Sequence, residues 1–108
     1  MSNRELLKRY LREHSHAAFG ALVTRHLDLV YSAALRQVRS PYLAEEVAQA
    51  VFVDLAQQAS AIPDDQPLTA WLYVVTRRTA IDVIRREMRR REAEAAAATL
   101  ATMRTESS

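Results

Sequence analysis

Apolar residues return every three or four positions along four stretches of the chain, the period of a helix that turns one face to a core. Leu6, Leu7, Tyr10 and Leu11 make a short set reaching to Glu13. Ser2 stands three residues ahead of Glu5, the spacing of a capping box. His14, Ser15 and His16 break the pattern, and Ser15 can cap a longer helix with the apolar face Phe19, Leu22, Val23, His26, Leu27, Val30, Tyr31, Ala34, Leu35 and Val38. Ser40 and Pro41 mark the next start, because serine caps and proline suits the first helical position. Ala44, Val47, Ala48, Val51, Phe52, Leu55 and Ala56 then repeat without a miss. Residues 60–67 hold Pro63 and Pro67 around Asp64 and Asp65, which predicts a loop.

The last long stretch, residues 68–91, begins with Trp71, Leu72, Tyr73, Val74 and Val75, continues through Ile81, Val83 and Ile84, and closes in arginines. After Arg91 the apolar stripe is lost, so a frayed helix end and then a disordered tail are expected over 92–108. The fold class that follows is all-α: a compact bundle of three long helices plus a short N-terminal helix. Gly20 interrupts good helix formers near the start of the second helix, either for a close helix approach or for no structural reason.

Composition narrows this picture. A chain of 108 residues fits one domain, and with no cysteine it has neither disulfides nor thiolate metal sites. No apolar run approaches the roughly 20 residues of a membrane span, and the first residues lack the core of a secretory signal. The reading is a soluble cytoplasmic protein.

Charge changes the picture more. The net value is only +2, but the signs are segregated. Residues 40–67 contain no Lys or Arg and five acids, Glu45, Glu46, Asp54, Asp64 and Asp65. Residues 68–91 contain Arg77, Arg78, Arg85, Arg86, Arg89, Arg90 and Arg91 against Asp82 and Glu87. Arginines in a row on one helix suit phosphates, and Trp71 and Tyr73 offer rings on which an unpaired base can stack. The opposing reading makes Trp71 a core anchor and the arginines a solvated face. An acidic helix repels DNA and suits a basic protein surface.

Catalytic chemistry is thinly supported. His14 and His16 diverge at a helix break, and His26 lies on an apolar face, where a satisfied core histidine is the commoner case. Asp64 and Asp65 read as turn residues, and a single glycine excludes a glycine-rich phosphate loop. No metal or cofactor is expected. The rival classes are a helical adaptor that binds protein only and a small helical hydrolase or metal enzyme.

Three segments are distinctive together: the start around Glu5, Leu6, Leu7, Tyr10, Ala18, Phe19 and Leu22; the run Leu43, Ala44, Glu45, Glu46, Val47, Ala48, Gln49, Ala50, Val51, Phe52; and Ala70, Trp71, Leu72, Tyr73 with Ala80, Ile81, Asp82, Val83, Ile84, Arg85. In combination they resemble region 2 of the extracytoplasmic-function sigma factors of the sigma-70 family. Leu43 and Ala50 stand where the family has acids, and Arg78 where it often has asparagine. The resemblance implies no enzymatic activity. It implies that Glu45, Glu46, Gln49 and Phe52 dock on the clamp helices of the largest subunit of core RNA polymerase. Promoter DNA at the minus-ten element would meet the loop with Asp64 and Asp65, then Trp71 and Tyr73, with Arg77, Arg78, Arg85, Arg86 and Arg89 on phosphates. An anti-sigma protein is a further partner that the family admits. Residues 1–91 would form region 2, and residues 92–108 would begin a linker to a C-terminal domain absent from this chain.

Overall fold

A computed structural model describes residues 1–107. Its elements are α1 (Asn3–Glu13), α2 (His16–Val38), α3 (Pro41–Gln58), a single 3-10 turn (Ala59–Ala61) and α4 (Leu68–Ser107). The three serines read as caps all cap. Ser2, Ser15 and Ser40 accept through their hydroxyl oxygens from the N–H groups of Glu5, Ala18 and Leu43 at 3.1, 3.1 and 3.3 Å. Each such cap contributes about 1 kcal/mol, and together they fix where three helices begin. Helices α1 and α2 stop on left-handed residues, His14 at φ 53° and Arg39 at φ 54°. The Arg39 N–H donates to the Leu35 carbonyl at 2.9 Å and satisfies one of the last carbonyls of α2.

The core lies where α2, α3 and the first half of α4 meet. Leu22, Val30, Val47, Val51, Leu55, Leu72 and Thr76 are its most enclosed side chains. The buried polar residues among those described are satisfied within their own helix: His26 donates from Nδ1 to the Leu22 carbonyl at 2.8 Å, and Thr76 donates from its hydroxyl to the Leu72 carbonyl at 2.6 Å. His26 is therefore a core histidine with a bonded ring nitrogen. Helix α1 is tied down by Tyr10, whose hydroxyl donates to the Ala56 carbonyl at 3.1 Å and whose ring sits 4.9 Å from that of Phe19.

Gly20 is exposed, and a Cβ added there would meet nothing within 4 Å. No close approach requires it. Gly20→Ala is accordingly expected to stabilise the fold by about 0.5–1 kcal/mol, read as a higher midpoint in a thermal melt.

The C-terminal segment departs from expectation. Helix α4 does not fray after Arg91 but continues to Ser107, and every described residue beyond Arg91 is exposed. Local terms account for this. The segment is rich in alanine, the best helix former, and Arg90 pairs with Glu94 one turn on at 2.6 Å. The hydroxyls of Thr99 and Thr102 are satisfied by the carbonyls of Ala95 and Ala98, each at 3.0 Å, contacts that do not themselves strengthen the helix, so alanine and the ion pair carry the extension. Ser108, the last position of the expected tail, lies outside the described residues. At 1.5 Å per residue a 40-residue helix reaches about 60 Å, so α4 extends as a stalk and gives the molecule its 68 Å long axis.

Candidate nucleic-acid interface and docking groove

Helix α4 buries Leu68, Leu72, Val75, Thr76, Ala80 and Val83, and this fixes what its other faces present. Residues four apart stand on one ridge of a helix. One such ridge is Tyr73, Arg77, Ile81, Arg85 and Arg89, all exposed, with Tyr73 at 49% and Ile81 at 37%. Among the described residues, Arg77, Arg85 and Arg89 form no ion pair. Off this ridge Arg78 also forms no ion pair among the described residues, whereas Arg86, Arg90 and Arg91 are engaged. Arg90 meets Glu87 and Glu94, both at 2.6 Å, Arg91 meets Glu87 at 3.2 Å, and Arg86 pairs with Glu46 on α3. The hydrogen bond from Arg90 lowers the pKa of the Glu87 carboxyl from its ordinary value. The cations of residues 68–91 available to an external anion are thus fewer than seven: Arg77, Arg85 and Arg89 along the ridge and Arg78 beside it.

The two aromatic residues do not share a surface, because positions two apart on a helix face away from each other. Tyr73 lies toward α2, in a small cleft with Ala33, Arg36, Gln37 and Arg77. Trp71 is half-buried against the core and borders a pocket of about 440 Å³ with Asp54, Gln58, Ala61, Gln66, Val74, Val75 and Arg78. Asp64 and Asp65 belong to neither. They line a pocket toward α1 with Ser2, Asn3, Arg4 and Leu7, and only Gln66 is common to it and the Trp71 pocket. The sequence-predicted set therefore divides into a ridge with Tyr73, a pocket with Trp71 and Arg78, and a separate acidic corner.

Between α2 and α3 runs a groove of about 770 Å³. Phe19, Val23, Leu27 and Tyr31 form one wall, and Ala48, Gln49, Phe52, Val53 and Ala56 the other, with Asp28 and Glu45 at the margin. Leu27 and Val53 are 44% and 54% exposed, and with the other apolar walls they make the groove a contiguous apolar surface, the kind that marks a contact site. Of the residues read as a protein-docking set, Glu45, Gln49 and Phe52 line this groove. Glu46 instead points to α4 and its ion pair with Arg86. Both side chains of that pair are well exposed, so it contributes about 0–1 kcal/mol and ties the two helices only loosely. Leu27, Tyr31 and Val53 are groove residues that the sequence does not single out, since Leu27 and Tyr31 fall on the apolar face of α2.

Fold and surfaces define an all-α module with an unpaired cationic ridge on one helix and an acid-edged apolar groove on two others. The profile of the Sigma-70 region 2 family matches residues 22–90, which span most of α2, all of α3 and the packed part of α4. The chain belongs to that family. It is also 31% identical over 84 residues to the protein named "ECF RNA polymerase sigma factor SigK" from Mycobacterium sp. strain KMS, and equally to the protein of that name from strain JLS. A protein named "RNA polymerase sigma factor SigK" from strain MCS is similar to the same extent. Each match covers 77% of this chain and 44% of the relative, so the chain spans less than half the length of these curated relatives. No helix among the described residues is long and apolar enough to cross a membrane.

Proposed function

We propose that this chain is the promoter-recognition region of a sigma factor, with two binding surfaces and no bond-making step of its own. Residues 1–91 act as the domain, and the exposed end of α4 begins a connector. The groove between α2 and α3 docks on the clamp helices of core RNA polymerase in the cytoplasm. Apolar walls suit the stripe of an incoming helix, and Asp28 and Glu45 suit basic side chains beside it.

Helix α4 meets the opened minus-ten element. The carrying observation is the partition of the arginines: Arg77, Arg85 and Arg89 stand unpaired on the ridge with Tyr73, Arg78 stands unpaired at the Trp71 pocket, and Arg86, Arg90 and Arg91 are matched to carboxylates. An unpaired guanidinium exchanges only water and counterions for a phosphate, whereas a paired one must first give up its carboxylate. Arg78 and Trp71 border the pocket best placed for a base flipped from the non-template strand, with Gln58 and Gln66 supplying amide donors and acceptors.

The test is assembly. The chain is expected to co-elute with bacterial core polymerase, and the complex should retain forked DNA fragments from a pool randomised in the unpaired strand. Co-elution without enrichment of any DNA would support the protein-only adaptor reading instead, and failure to co-elute would overturn the docking assignment.

A further inference from the structure

The ridge on α4 does not end at α4. Beside Tyr73 and Arg77 the surface continues onto the last turns of α2, where Arg36 and Gln37 line the same cleft. Arg36 is exposed and forms no ion pair among the described residues, and no acidic side chain lines the cleft. Two arginines from different helices therefore line one cleft with a half-exposed tyrosine. Like charges gathered without a carboxylate repel each other in the free chain and are relieved when an anion lies between or across them. A simpler role exists for Arg36, since it lies in the last turn of α2, where a cation complements the helix dipole. That role is local to α2 and does not account for its convergence with Arg77 on Tyr73.

We infer that Arg36 is part of the nucleic-acid interface: it and Arg77 each hold a backbone phosphate of one DNA strand, on either side of a base stacked on Tyr73. This rests on α4 being the DNA-binding helix. It enlarges the interface from one helix to two and makes the packing of α2 against α4 set the spacing of the two phosphate contacts.

The experiment titrates the full chain with a single-stranded 15-nucleotide DNA of mixed sequence, followed by NMR chemical shifts, which read affinities into the millimolar range, at several low salt concentrations. Arg36→Ala is expected to weaken binding several-fold and to reduce the slope of log K against log salt by about 0.7, one phosphate contact on a single strand. Arg36→Lys should keep the wild-type slope because it keeps the charge. Tyr73→Ala should weaken binding about tenfold with no change of slope, since stacking releases no counterion. A purely dipolar Arg36 predicts a lower melting temperature for Arg36→Ala with unchanged slope, and that result overturns the proposal. Arg85→Ala in parallel separates the levels. If it lowers the slope while Arg36→Ala does not, α4 binds DNA without α2; if neither does, the DNA-binding reading of α4 fails and this inference with it.

Discussion

Replacing Arg77, Arg85 and Arg89 together by alanine is expected to abolish most of the DNA affinity of this chain without disturbing its fold. Each arginine that neutralises a phosphate contributes roughly 0.7–0.9 to the salt slope, so the triple variant should lose about 2–3 units of slope. Near 0.1 M salt that corresponds to roughly two to three orders of magnitude in affinity. Stability should hardly move, because all three side chains are exposed and unpaired and alanine is the stronger helix former. The informative contrast is Arg90→Ala with Arg91→Ala. These remove two charges from the same helix, but both guanidinium groups already rest on Glu87. The double variant should change the slope by well under one unit, measured by titration of forked DNA with and without core polymerase. Equal loss in both variants would show that ion pairing does not select the arginines that grip DNA and that net charge alone governs binding.

That partition was only half legible in the sequence. Glu87 stands three and four residues before Arg90 and Arg91, and Glu94 four after Arg90, so those pairs follow from helical spacing. The i+4 ridge Tyr73, Arg77, Ile81, Arg85, Arg89 could be counted off in the same way. The pair between Glu46 and Arg86 could not, because it joins α3 to α4 and depends on how the helices cross. Helix starts were legible for a related reason: a serine cap acts over three residues, and Ser2, Ser15 and Ser40 each bond within that reach. The extension of α4 is not visible in an apolar stripe, because over residues 92–107 only local propensity sustains the helix and nothing packs on it. Arg36 was invisible as a site residue, since only the packing of α2 on α4 brings it to Tyr73.

Phe52 shows why the docking groove needs two substitutions rather than one. Resemblance placed it among polymerase contacts, yet the side chain is 8% exposed and belongs to the core while lining the groove floor. Phe52→Ala is therefore expected to cost about 3–5 kcal/mol of stability through lost burial and a residual cavity. For a domain of this size that lowers the melting midpoint by roughly 15–30 °C, and any loss of polymerase binding would follow from unfolding. Val53 is the cleaner probe. It stands on the groove wall at 54% exposure, so Val53→Lys leaves the core intact and should shift stability by no more than about 0.5 kcal/mol. On docking, the new ammonium would be pressed into an apolar seam against a basic partner, an uncompensated burial worth about 3 kcal/mol or more. Affinity for core polymerase, followed by interferometry on the immobilised enzyme, should then fall at least a hundredfold while the thermal melt stays in place. Wild-type binding by Val53→Lys would remove the groove from the interface and leave its exposed apolar walls without a partner.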